Sequence, residues 1–372
     1  SQDFSQPYPF PSVSFSFYIF PHLPCSSQYR KINAFQAERV NTGSGRQRRY
    51  YAAIAKSAAL LYNKFQYKES VYQRMPHETM RRSMLKEKHF QLLNLSVCRS
   101  RQRGVKMNNQ ELYQLLDLPK EVIKQLNACG ETRNHTFHVC VSDLMKDIEL
   151  TRRLDQLITD AVGEDPDGMK TLWEDLNIAR DAFDEYQKKG IPVTVYTDTM
   201  KFCTRFLTDY YKTHACYRFQ FGWWFPRQLS LREFRIGALE YEYGEEGYIE
   251  MHIPSDADIS EASVLESLSQ FKLFCRQYYP AWENLPFRCQ SWLLSPALKE
   301  LLDDTSKILA FQKLFDIVET DYESMAALDW VFPGHDKVSA DLPEHTGLQK
   351  RMKKYLLEGK SVGWTTGLLR PL

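Results

Sequence analysis

Through the middle of the chain apolar residues recur at three- and four-residue steps, and after about residue 216 they alternate with polar ones, so helices are expected first and strands afterwards. Leu112, Leu115 and Leu116, then Val122, Ile123 and Leu126, mark two short helices separated by Asp117-Leu118-Pro119, with Pro119 suited to a first helical position. Residues 148–162 carry apolar side chains at Leu150, Leu154, Leu157, Ile158 and Ala161, and the turn residues of GEDPDG at 163–168 end that helix. Met169, Leu172, Leu176, Ala179, Phe183 and Tyr186 then give the clearest helix of the chain, stopped by Gly190. One more helix is expected across 192–212 on Tyr196, Met200, Cys203, Leu207 and Tyr210.

Aromatic and β-branched residues dominate 217–224 and 234–243, which predicts two strands, and a turn at 244–247 leads into 248–253 as a hairpin. In 254–260, Asp258 stands in capping-box spacing with Glu261, ahead of a helix on Val264, Leu268, Phe271, Cys275 and Tyr278 that ends before Pro280. A strand at 287–294, a helix opened by Ser295-Pro296, a strand at 314–320 and helices at 324–330 and 346–357 complete the order. Strands and helices in this sequence predict an α+β fold, a mixed sheet with helices on its faces.

Charge changes the picture of the first 106 residues. They hold 18 Lys and Arg against 5 Asp and Glu, or +13, and from the chain totals of 48 and 47 the remainder holds 30 against 42, or −12. An acidic body gains no counterion-release energy from nucleic acid, so nucleic-acid binding is expected only in the basic leader. Met107 reads as the native start, with 1–106 as translated upstream sequence or a disordered arm. Eight cysteines without a CxxC pair fit free thiols in a reducing cytoplasm. Cys129, His135, His138 and Cys140 lack the spacing of a closed zinc site, so no metal is expected. No apolar run reaches the ~20 residues of a membrane span.

Particular segments then carry a resemblance. "YQLLDLPKEVIKQL" at 113–126, "DTMKFCTRFLTDY" at 198–210, "FGWWFPRQLSLREFRIGALEYEY" at 221–243, "MHIPSDADIS" at 251–260, "PFRCQSWLLSPALKELL" at 286–302 and "SKILAFQKLFDIV" at 306–318 resemble the GNAT-like acyltransferase family. That family pairs a helical N-acyltransferase N-terminal domain, here 107–215, with a GNAT-like C-terminal domain, here 216–372; the leader 1–106 has no counterpart in it. The resemblance implies transfer of an acyl group from acetyl-CoA or another acyl-CoA to a small-molecule or peptide amine. It also implies that pantetheine wedges between two splayed strands, 248–253 and 287–294, and that pyrophosphate meets the loop after the first of them. In this sequence that loop, 254–260, holds Asp256 and Asp258 and no glycine, a departure that sets carboxylates where phosphate is expected.

Acyl transfer to an amine needs a base, a donor for the leaving thiolate and donors for the oxyanion. Glu250 and His252 share one face of their strand and either fits the base; the competing reading is a solvated Glu250 and a hydrogen-bonded His252 at the strand end. Ser291 is placed to donate to the sulfur. Ile253, Ser255, Cys289 and Trp292 border the expected CoA path, although Cys289 and Trp292 equally suit plain core packing. Arg227 and Arg235, with Trp223, Trp224 and Arg232, form a basic aromatic cluster that either grips CoA or an acidic acceptor or makes interdomain ion pairs. His335 and His345 lie in loops that demand no role of them. The alternative to an enzyme is a non-catalytic GNAT-derived module that binds acyl-CoA or a protein partner through the Trp/Arg junction.

Overall fold

The computed structural model describes residues 106–132 and 137–371, so the expectations for the leader and for His135 lie outside the described residues. Helices come first. α1 (Asn109–Leu115) opens with a capping box between Asn108 and Glu111, and α2 (Lys120–Thr132) follows Pro119. After the short α3 (Val141–Leu144), Asp147 caps α4 (Ile148–Val162), which Gly163 ends at a φ of 68°. α5 (Met169–Lys188) starts where the Asp165 carboxylate accepts from the backbone N–H of Lys170 and Thr171. Twelve of its residues are buried, and α1, α2, α3 and α4 pack around it.

The run expected as one helix at 192–212 is two, α6 (Val193–Met200) and α7 (Phe202–His214), separated at Lys201. The break falls where the last turn of α6 is tied to the sheet, Thr199 Oγ1 accepting from the Arg235 N–H at 3.0 Å. The strand expected at 217–224 does not form; 217–221 is irregular and a turn at 222–225 leads into α8 (Pro226–Leu229). Its aromatic residues pack one by one, Phe221 stacking on Phe206 at 3.8 Å. Gly222 lies so close to α4 that a Cβ there would meet Asp155 Oδ1 at 2.6 Å.

The expected strand at 234–243 folds back on itself as β1 (Glu233–Ile236) and β2 (Leu239–Tyr243), because Gly237 takes a φ of 66° and makes a two-residue turn. β3 (Ile249–His252) completes the predicted hairpin with β2. α9 (Glu261–Tyr278) follows. Its N-cap is Ser260 without a side-chain cap, and Asp258 serves the N–H and hydroxyl of Ser260 instead of boxing with Glu261. β4 (Phe287–Ser291) is shorter than the expected 287–294, since Ser291 Oγ accepts from the Leu293 N–H and starts a 3₁₀ turn at Trp292–Leu294.

α10 (Leu298–Leu301), α11 (Lys307–Gln312), β5 (Phe315–Asp321), α12 (Ala326–Val331) and α13 (Gly347–Leu357) come next. β6 (Trp364–Leu369), a strand the apolar pattern did not announce, inserts between β4 and β5. Among the described residues six strands run in the order β1-β2-β3-β4-β6-β5; β3 and β4 are parallel and all other neighbours antiparallel. This is the expected α+β architecture with a mixed, mostly antiparallel sheet. Among the described residues no helix is long and apolar enough to cross a membrane.

Register gives the sheet two unlike faces. Phe234, Tyr241, Ile249, Met251, Phe287 and Cys289 point to α9, where Phe271 stacks on Tyr241 at 4.1 Å. Glu233, Arg235, Glu240, Glu242, Glu250, His252 and Arg288 share the opposite face. Glu233 and Glu240 are nevertheless buried, and Arg205 of α7 reaches Glu240 at 2.8 Å with both side chains less than a tenth exposed. Removing one member of such a pair strands a buried charge, so Arg205→Ala is expected to cost about 3 kcal/mol in urea unfolding, whereas Arg205→Met with Glu240→Leu recovers most of it. Equal stability of Arg205→Ala and wild type would show that the pair holds nothing together.

Candidate active site

Between β3 and β4 the ladder is two residues long. Ile249 pairs with Phe287 and Glu250 with Arg288, and there the pairing stops. β3 continues through Met251 and His252 to Pro254, which has no N–H to extend a ladder, while β4 continues through Ser291 paired only with β6 on its other side. The two strands part at Met251 and Cys289, and the charged face meets the gap at His252.

His252 is held from two sides. Its Nε2 lies 3.0 Å from Glu242 Oε2 on the neighbouring strand, and its ring meets the Trp224 ring edge-on at 4.9 Å. Arg227 donates to the other Glu242 oxygen at 3.2 Å and lies over Trp224 at 4.3 Å. Behind them, Glu233 accepts from Trp224 Nε1 at 3.0 Å and from Gln228 Nε2 at 2.8 Å. α8, formed because Pro226 starts a helical turn, supplies Arg227 and Gln228, and β1 and β2 supply the two carboxylates.

The electrostatics follow from this packing. Burial by itself would lower the His252 pKa, but the hydrogen bond to Glu242 and the charges of Glu233, Glu242 and Glu240 outweigh it and raise it to about 9. Burial pushes the Glu233 carboxyl up to about 8, against the pull of His252. For Glu242 burial acts in the same upward sense, yet its bonds with His252 and Arg227 win and hold it below the usual carboxylate range. Glu233, Glu242 and His252 each offer a donor atom within 4.8 Å of the others, a spacing that suits a metal ion. All four carboxylate oxygens already accept a hydrogen bond, however, and Arg227 adds a cation, so the donor set is satisfied as an ion network.

Glu250 sits on the same face but is engaged by Arg288, at 2.8 Å from Nε and 2.7 Å from Nη2. Ser291, Cys289 and Trp292 are not brought to His252. Ser291 and Cys289 point to the α9 side of β4, Ser291 Oγ serves the Leu293 N–H, and burial pushes the Cys289 thiol far up. Trp292 packs at the edge of a second core formed by α10, α12 and α13. Ile253 is half-buried against the main core.

In the loop after β3, Ser255 donates to Asp209 at 2.5 Å, Arg235 pairs with Asp256 at 2.8 Å and Lys307 with Asp258 at 3.0 Å. Both loop carboxylates therefore carry a cation. Cys129, His138 and Cys140 form no ligand-spaced group among the described residues. Glu233, Glu242 and Gln228 were not singled out from the sequence; the signal was the alternation of Glu240 and Glu242 with apolar neighbours, the same pattern that marked Glu250 and His252.

Residues 107–231 match the N-acyltransferase N-terminal domain and residues 217–369 the GNAT-like C-terminal domain. No curated protein sequence matches the chain. Among solved structures, an acyltransferase in complex with decanoyl-CoA aligns with a TM-score of 0.56 at 18% identity, over 70% of this chain and 86% of that one. An acyltransferase mutant in complex with octanoyl-CoA aligns at 0.57 and 16%, over 71% and 87%, and an acyltransferase in complex with decanoyl-CoA and teicoplanin at 0.50 and 16%, over 71% and 99%. At these identities the likeness is one of fold. Two overlapping domain matches that together span 107–369 make the chain a member of the GNAT-like acyltransferase family, with an N-acyltransferase N-terminal domain ahead of a GNAT-like C-terminal domain.

Proposed function

We propose that the protein is an acyl-CoA-dependent N-acyltransferase acting on an amine of a small molecule or peptide. The observation that carries this reading is the parting of β3 from β4 after two paired positions, with His252 at the open end. A gap of this kind accepts the pantetheine arm, whose amides can bond to strand backbone groups that have no partner across it. The three structural neighbours that bind acyl-CoA or its decanoyl and octanoyl forms share this fold and support the choice of thioester.

Pyrophosphate then falls to the loop 254–260 and the N-terminus of α9, whose cap residue makes no side-chain cap and leaves N–H groups for an anion. Arg235 and Lys307 neutralise Asp256 and Asp258 there, so the absence of glycine does not leave the loop repulsive. Ile253, Ser255 and the backbone at Cys289 border this path, Trp292 is turned instead to the second core, and Arg227 acts on His252 through Glu242. Cys140, Cys203, Cys216, Cys275 and Cys289 form no disulfide, which suits a cytoplasmic setting.

In the chemical step His252 is the base. Nε2 is fixed by Glu242, so Nδ1 of the neutral ring takes the proton from the attacking amine as nitrogen bonds to the thioester carbon. The tetrahedral intermediate then collapses as the C–S bond breaks, and the His252 imidazolium gives the proton it took from nitrogen to the leaving thiolate, so that CoA departs as its thiol and the ring is neutral again. A base with a pKa of about 9 is matched to an alkylammonium acid, at the cost of a small neutral fraction at pH 7. The reading of a non-catalytic module rests on the glycine-free loop and shares the binding step while lacking the chemical one.

Three measurements separate these readings. Acyl-CoA at a hundredfold excess over its dissociation constant should stabilise the protein by about 2.7 kcal/mol in a thermal shift; no shift with any thioester removes both. With a reactive amine, CoA release followed by a thiol reagent should rise with pH toward a plateau above about 9, and Glu242→Gln, which removes the charge that raises the His252 pKa, should move that inflection to lower pH. An unmoved inflection rules out His252 as the base. His252 is raised from its usual 6.5, so its contribution to stability is full below that value and lost as pH rises through about 9. Urea unfolding at pH 7 and pH 10 should therefore show a larger loss for wild type than for His252→Gln.

A further inference from the structure

On the face of the sheet covered by α9 and α11, and therefore opposite His252, lies a cleft of about 720 Å³ between α11, the 3₁₀ turn and the β5 edge. We propose that it is a binding site for a long-chain carboxylate, an anionic head with an alkyl tail. Its volume falls within the roughly 300–1,000 Å³ of small-molecule sites.

The floor is apolar: Leu294, Leu309 and Phe315 lie beneath it, each less than a tenth exposed, and Ile317 offers the open apolar surface. Gly367 of β6 lies beneath it. A Cβ at 367 would come within 2.9 Å of Leu294 Cδ1 and 3.1 Å of Phe315 Cβ, so any other residue would crowd two side chains of the floor. Glycine weakens a strand interior, and its place between two paired strands is accounted for by this close approach. Gln312, the polar group of the wall, spends its amide N–H groups on the carbonyls of Leu293 and Ser295, both at 2.9 Å, and so asks nothing of a ligand tail. Ile317 is 41% exposed, an apolar strand residue that the protein itself leaves uncovered.

The rim is cationic. Lys299, Lys313 and Arg370 line it against a single lining carboxylate, Asp304. Arg370 is engaged by Asp316 at 2.7 Å, whereas Lys299 and Lys313 make no ion pair among the described residues. Residues 107–372 carry a net charge of −12 (30 Lys and Arg against 42 Asp and Glu), so two unpaired ammonium groups at the mouth of an apolar cleft run against the charge of the body around them. An alkyl carboxylate satisfies both halves of the site at once, and a cationic amphiphile of the same length satisfies one half and is repelled by the other. This inference is independent of the acyl-transfer reading.

Calorimetric titration of the full chain with dodecanoate, below its micellar concentration, tests it. One molecule should bind per chain, with affinity falling as methylenes are removed from the tail. Lys299→Glu with Lys313→Glu should weaken binding by about tenfold or more while leaving the melting temperature in place. Ile317→Asp, at an exposed position, should weaken it as well. Dodecyltrimethylammonium should not bind, and saturating CoA should leave the dodecanoate affinity unchanged. Undiminished binding in the variants, equal binding of the cationic analogue, or displacement by CoA would each overturn the proposal, the last by placing the alkyl chain in the β3–β4 gap.

Discussion

Seven charged side chains line up on one face of β1 to β4, and a layer of helices covers that face. Everything near the gap is organised by the need to compensate those buried charges. A carboxylate removed from water costs several kcal/mol unless it is paired and hydrogen-bonded, and here the partners come from the helical layer: Arg205 of α7 for Glu240, Arg227 and Gln228 of α8 for Glu242 and Glu233. The helices are thus fixed to the sheet by the same contacts that set the protonation of His252. A network that joins two layers and tunes one imidazole leaves little freedom to alter either role alone.

The second constraint is the short parallel ladder. Parallel strands need a long crossover, and α9 supplies it between β3 and β4. The crossover starts at Pro254 and a loop pinned by Arg235, Lys307 and Asp209, which draws the end of β3 toward α7 and α11, while β6 holds β4 on its other side. Pulled by different neighbours, the two strands diverge after Glu250 and Arg288. The gap is the outcome of competing attachments, each of which is a specific ion pair or hydrogen bond.

The elements that could be read from the sequence were those whose signals are local. α5 carries its apolar stripe over five turns and ends at a glycine, and the β2–β3 hairpin has its turn residues between two alternating runs. β6 escaped because Thr365, Thr366 and Gly367 at its centre give no apolar alternation; its place is set by pairing with β4 and β5, which are distant in sequence. Residues 217–224 look like a strand by composition, but Tyr217 and Phe221 are spent on rings of α7 and Phe219 on Phe225 at the start of α8. For the site, the strand face shared by Glu250 and His252 was legible. The Glu242 contact was not, since it depends on the register of β2 against β3.

The net charge of the glycine-free loop is set by residues distant in sequence. Asp256 and Asp258 by themselves are two negative charges where a phosphate is expected. Their partners lie 21 and 49 residues away, on β1 and at the start of α11, and only the folded chain brings them together. Glycine is used in phosphate loops because it lets backbone N–H groups approach the anion closely. Here the α9 N-terminus keeps its N–H groups free of a side-chain cap, while two cations offset the carboxylates that shape the turn. The two carboxylates that shape the loop are thus offset by distant cations, which ties the charge balance of the turn to the integrity of β1 and α11.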